Sequence, residues 1–357
     1  SAASDVYKRQ FQHDTIRNWN GKQKGQIMSK FADIYGHEQI KEHLQNAIRL
    51  NKVSHAYIFN GPMGSGKKMT AGIFAETLQC ERHGQEPCGT CHSCIQSESG
   101  NQPDIIWVHH EKPGSIGVDD VREQVIGDMQ IKPYSSRYKI YIIDEAEKLT
   151  QQAQNALLKT IEEPPAYGII ILLTTNADTF LQTILSRCVR LDFRPLRDTL
   201  VTQYLQEKYD LTDYECRFAT AFAQGKIGRA VTIATSKEFA QLKEEVMHVI
   251  RYAKEMTTAE IMAEVKNIAN YKLTIDDYLD LMAMWYRDVL VFKSTKDSNA
   301  LIFKDEMSLL AEQAKNCSYE GLEDILKSID KVKLRLKANV NFDLVIELLI
   351  MAIKEAM

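Results

Sequence analysis

Between residues 31 and 193 the chain alternates short, wholly apolar runs with segments whose apolar positions recur every three or four residues. The second pattern is the period of an amphipathic helix. The first is what a strand shows when both faces of its sheet are covered. Residues 56–60, 104–109, 139–144, 168–175 and 188–193 are therefore predicted as strands. Helices are predicted at 39–50, 67–80, 118–131 and 151–162, the last with Thr150 as N-cap and Pro164-Pro165 as its stop. Strands alternating with helices imply an α/β domain built on a parallel sheet.

After Pro195 the period becomes helical and stays so to Met357. Short helices are predicted at 197–208, 213–223, 229–235 and 238–255, and a further set at 275–292, 308–315, 319–337 and 342–355. The expected division is an α/β domain over 28–194, a small helical domain over 195–240 and a helical bundle over 241–357. Residues 1–27 fit neither period and read as a non-native or disordered leader, with Met28 as the expected natural start. Its first ten residues resemble translated sequencing-adapter sequence.

Composition narrows the function classes. Apolar residues make up 44% and charged residues 26% of 357, which is ordinary for a globular chain. No apolar run reaches the roughly 20 residues that cross a bilayer, so no membrane partner is expected and the expected location is cytoplasmic. The leader carries Lys8, Arg9, Arg17, Lys22 and Lys24 against Asp5 and Asp14, so the formal net charge of −4 leaves about −7 for the body. An acidic body argues against holding nucleic acid by bulk charge, because phosphate neutralisation needs a clustered basic face.

Four motifs carry chemistry. The strand at 56–60 runs into Gly61-Pro62-Met63-Gly64-Ser65-Gly66-Lys67-Lys68 and then a helix. Gly61, Gly64 and Gly66 let backbone N–H groups cradle phosphates, and Lys67 is placed for the outer phosphates. The residue after Lys67 should be Ser or Thr, whose hydroxyl holds Mg²⁺; Lys68 instead puts a cation where the metal belongs. The strand at 139–144 ends in Asp144-Glu145, one carboxylate for the metal shell and one to polarise water. Cys80, Cys88, Cys91 and Cys94, with Gly89 in the tight knuckle, have the spacing of a closed tetrahedral Zn²⁺ site. In a reducing compartment seven cysteines argue against a disulfide framework. The fourth motif, Ser186-Arg187-Cys188, says little alone, since a solvated arginine is the default; beside a phosphate loop, an arginine can also be given to a neighbour's nucleotide.

In this order, 54–59 before the loop, the four-cysteine insert, Asp144-Glu145-Ala146, the run 158–165 and Ser186-Arg187-Cys188 resemble the AAA+ subunits of bacterial DNA polymerase III clamp loaders. The resemblance is strong over about 30–240 and loose beyond. It implies an AAA+ domain with a zinc module at 80–94, a helical lid at 195–240 and a collar bundle at 241–357. It also implies an open ring with gamma/tau and delta subunits, acting on a sliding clamp and primed DNA. Thr175 matches the first sensor position. Lys68 departs from the ATP-hydrolysing gamma/tau pattern, and so does Gly228, which stands where a second-sensor arginine belongs while Arg229 falls one place late. Both departures favour the delta-prime type, which would supply Arg187 as a trans finger with weak or absent ATPase of its own; whether ATP or ADP enters its loop stays open. Two rivals remain: a self-sufficient ATPase of gamma/tau type, and a zinc-dependent nucleic-acid module, which the acidic body and the lack of clustered aromatics disfavour.

Overall fold

The computed structural model describes residues 30–357 apart from Glu111 and Pro113, so the expected leader lies outside the described residues. Five strands form one parallel sheet: β1 (Ala56–Asn60), β2 (Ile105–Val108), β3 (Lys139–Ile143), β4 (Gly168–Thr174) and β5 (Val189–Asp192), in the order β2-β3-β4-β1-β5. The register pairs Ala56 with Ile170 and Ile140 with Ile169.

Successive strand residues feed two separate cores, which is why the strands are apolar without alternation. On one face Ile58, Tyr141, Ile143, Ile170 and Leu172 pack with Val121, Val125, Leu157 and Ile184. On the other Tyr57, Phe59, Ile140, Ile142 and Ile171 pack with Leu44, Phe74 and Leu78. Strand order puts the ends of β3, β4 and β1 side by side, at the carboxyl edge where parallel sheets bind ligands.

Helix α1 (Glu38–Arg49) precedes β1, and helices α2 (Lys67–Gln79), α3 (His92–Glu98), α4 (Val118–Val121), α5 (Gln151–Glu162) and α6 (Gln182–Leu185) connect the strands. The single helix expected over 118–131 is instead a turn of α-helix followed by a π-helical stretch, Arg122–Gly127, and a 3₁₀ turn, Asp128–Gln130. Gly127 accounts for the change of winding: a Cβ there would lie 3.1 Å from the Arg122 carbonyl oxygen, five residues back. Periodicity misses α3 and α6 because they are too short to show a repeat.

The described residues divide into two compact units: those up to Leu211 together with Ala223–Ala230, and Thr212–Phe222 together with Val231–Met357. In the first unit α7 (Asp198–Lys208) follows the sheet. Helices α8 (Asp213–Ala223) and α9 (Ile227–Thr235) come next in sequence, and the second unit is completed by α10 (Lys237–Tyr252), α11 (Thr258–Ile268), α12 (Ile275–Thr295), α13 (Met307–Asn316), α14 (Tyr319–Lys337) and α15 (Phe342–Ala356). The fully buried Trp285 donates to Gln313 at 2.8 Å, and Gln313 donates to the Ile250 carbonyl at 3.0 Å, so one amide ties α12, α13 and α10 together. Asp288, also buried, accepts from the backbone N–H groups of Ile302 (2.5 Å) and Phe303 (3.0 Å), holding the loop before α13. Among the described residues no strand follows Asp192, and no helix is long and apolar enough to cross a membrane.

Candidate functional site

The loop after β1 is shaped by glycines. Gly64 has φ +77° and Gly66 φ +93°, both left-handed, and a Cβ on Gly64 would sit 3.0 Å from the Arg229 backbone nitrogen. The chain approaches this closely because the N–H of Gly228, near the start of α9, donates to the Gly64 carbonyl at 2.8 Å. Gly228 is thus a backbone contact on the loop, at the position where the family resemblance places a second-sensor arginine. A side chain would crowd it, since a Cβ there would fall 3.1 Å from the Gly64 Cα.

Lys67 is buried and folds back on its own loop, donating to the Gly61 carbonyl at 2.5 Å and the Pro62 carbonyl at 2.8 Å. Burial pulls its ammonium below the ordinary lysine range, and the carboxylates of Asp144 and Glu147 oppose that pull. Lys68 extends across the site to Asp144, with Nζ 3.1 Å from Oδ2 and 5.3 Å from the centre of the Trp107 ring. An ammonium therefore lies against the carboxylate expected to serve Mg²⁺.

Glu145, in the left-handed region at φ 50°, turns to Lys148 at 2.6 Å and to the His110 ring at 3.7 Å. Thr175 meets a different acid: its hydroxyl donates to Glu147 at 2.7 Å and its N–H at 3.1 Å. Burial pushes the Glu147 carboxyl up, but these hydrogen bonds prevail and hold it below its usual value. Glu147, Trp107 and His110 escape sequence reasoning, since nothing in their spacing marks them. The β3-β4 pairing is what sets Glu147 against Thr175.

The four insert cysteines converge, with all four sulfurs within 4.8 Å of one another. Around Zn²⁺, with Zn–S near 2.3 Å, the edge of a tetrahedron of sulfurs is about 3.8 Å; Cys88 and Cys94 lie 3.9 Å apart. The knuckle also fits a metal. Gly89 takes φ 72°, the Cys91 N–H points at the Cys88 sulfur (3.3 Å) and the Cys94 N–H at the Cys91 sulfur (3.4 Å). Hydrogen bonds from Thr90 pull the Cys88 thiol down to about 5, while burial pushes Cys80 and Cys94 up. The group can hold a metal ion with no position left open. Glu86 joins the insert to α1 and to the start of the described chain, accepting from Gln45 at 3.0 Å and from the Phe31 N–H at 2.8 Å.

Arg187 follows α6 at the surface. One guanidinium nitrogen donates to the Thr183 carbonyl (3.0 Å) and the Ser186 hydroxyl (3.2 Å), and the other lies 3.1 Å from Glu162 Oε1 at the end of α5.

Residues 36–197 match the family described as DNA polymerase III, delta subunit, and residues 237–355 the family described as DNA polymerase III, delta subunit, C terminal. The chain is 29% identical to DNA polymerase III subunit delta' of Bacillus subtilis (strain 168), over 87% of this chain and 94% of that protein. It is 30% identical to subunit tau of the same organism, over 85% of this chain but only 58% of tau. A solved DNA polymerase III gamma subunit-related protein from Thermotoga maritima aligns over 88% of this chain and 99% of that one, at 20% identity and a TM-score of 0.47.

Proposed function

The chain belongs to the DNA polymerase III clamp-loader subunits, and from that premise we propose that it is the delta-prime-type member, which turns over no ATP of its own and sets Arg187 against ATP held by a gamma/tau-type neighbour. The observation that carries this reading is the Lys68–Asp144 contact of 3.1 Å. Hydrolysis at a phosphate loop needs Mg²⁺ between the phosphates, a hydroxyl and an acid. Here the hydroxyl is missing, and the acid is paired with a cation that repels the metal. Gly228, whose N–H is spent on the loop, adds no charge to the site.

In this reading residues 28–194 are the AAA+ domain, 195–240 the lid and 241–357 the collar. Exposed Leu334, Leu344 and Leu348 on the last two helices support a collar that meets other subunits, because exposed leucines gain from burial. The partners are gamma/tau and delta subunits, the sliding clamp, and primed DNA through the assembled ring. Cys80, Cys88, Cys91 and Cys94 hold Zn²⁺, which cross-links the insert and takes no part in phosphate chemistry. Arg187 is the working residue: its guanidinium is always charged and forks onto two phosphate oxygens, stabilising charge that builds as a neighbour's γ-phosphate leaves.

The test is Arg187→Ala in a reconstituted loader. Assembly should persist, while DNA-stimulated ATP hydrolysis and clamp loading fall several-fold. The loss is partial, because gamma/tau neighbours bring their own fingers to the other sites. Lysine at the position should rescue poorly, being a point charge without the fork. Unchanged hydrolysis and loading in an intact ring would return Arg187 to the role of a surface arginine.

A further inference from the structure

Resting on the trans role of Arg187, we infer that Glu162 is a positioning residue that parks the finger and must release it before a neighbour's ATP is hydrolysed. The two side chains are 25 residues apart in sequence and meet only because α5 ends beside the turn that follows α6. Both terminal nitrogens are engaged within this chain: one bonds the Thr183 carbonyl and the Ser186 hydroxyl, the other the Glu162 carboxylate at 3.1 Å. An arginine cannot grip phosphate end-on, through its two terminal nitrogens, while both are held.

The placement of Glu162 argues against a purely stabilising role. It is the last residue of α5, with Glu163 as C-cap, so two carboxylates stand at the negative end of the helix dipole, where a cation would be favoured. Arg187 offsets that local cost. The pair is also built to open, since the side chains are 41% and 44% exposed and solvent or an incoming phosphate reaches both. A carboxylate beside the guanidinium cancels the charge the finger would offer and repels the approaching γ-phosphate. The guanidinium therefore exchanges one anion for another: Glu162 before the neighbour's nucleotide is in place, phosphate oxygens once it is.

Glu162→Gln keeps an oxygen that accepts a hydrogen bond but removes the competing charge. In the reconstituted loader with primed DNA, this variant should raise kcat/KM for ATP about two- to fivefold, the range an exposed ion pair commands. The gain should shrink at high ionic strength, where exposed charges are screened. In an Arg187→Ala background the same substitution should change nothing, a dependence that a merely structural glutamate would not show. Zinc content, melting temperature and ring assembly serve as controls for folding. If Arg187→Ala lowers hydrolysis while Glu162→Gln leaves it unchanged or lowers it, the parking role is overturned and the finger stands. If Arg187→Ala itself has no effect, the trans role fails and the parking role with it. If Glu162→Gln accelerates hydrolysis equally with and without Arg187, Glu162 acts on something other than the finger.

Discussion

The phosphate loop and the cysteine insert lie at opposite ends of one helix, Lys67–Gln79, and have fared differently. At the C-terminal end four sulfurs of like character converge within 4.8 Å, and they cannot neutralise one another. That group can hold a metal ion. At the N-terminal end the chain supplies both signs of charge: Lys67 rests on the Gly61 and Pro62 carbonyls, and Lys68 on Asp144. That site is satisfied from within. In the reading proposed above, kinship with a binding motif does not by itself preserve binding; a donor set that stays unsatisfied until its ligand arrives does.

The largest effect should come from breaking the insert. Structural zinc is worth roughly 10–16 kcal/mol in small peptide modules, so Cys94→Ser or chelation should abolish metal retention and unfold 80–94 while the sheet persists. Elemental analysis and amide hydrogen exchange read this; a metal content under about half an equivalent in the unmodified protein would speak against zinc. A smaller effect is expected at the loop. The isolated chain should show no Mg²⁺-dependent ATP turnover above a Lys67→Ala control, by phosphate release. Lys68→Thr should free Asp144 and raise affinity for Mg²⁺-nucleotide several-fold in a titration, yet leave hydrolysis poor because Gly228 brings no side chain. Robust turnover by the unmodified chain would restore the self-sufficient ATPase.

The smallest effect lies on the helix between the two sites. Burial, and then the nearby Glu98, push the Glu76 carboxyl from 4.5 up to about 7. A carboxyl raised in the folded state favours folding most below its unfolded value, and that contribution is lost as pH climbs through 4.5 towards 7. Glu76→Gln should therefore raise the melting temperature at pH 8 by a few degrees more than at pH 5, about 1–2 kcal/mol with Glu76 only partly buried. An equal shift at both pH values would mean that Glu76 titrates normally.

Much of this molecule was legible locally. Helices were expected at 151–162 and 319–337, and Gln151–Glu162 and Tyr319–Lys337 are what form, because a serine or threonine cap and an amphipathic repeat are both written within a few neighbouring residues. The four cysteines were legible for the same reason: three of them lie within one short knuckle. The winding change at Gly127 was less so, since it depends on a glycine tolerating a close carbonyl five residues away.

The sequence by itself determined the element types, the double-faced apolar strands, the cysteine set and the missing hydroxyl at Lys68. Only the tertiary structure decided which distant side chains meet: Lys68 with Asp144, Thr175 with Glu147 rather than Glu145, Gly228 with Gly64, and Arg187 with Glu162. The reason is that strand and helix formation answer to neighbours along the chain, whereas these contacts depend on the order β2-β3-β4-β1-β5 and on where helices end against that sheet. Hydrophobic periodicity says that a strand is buried, but nothing in it says which strand lies beside it.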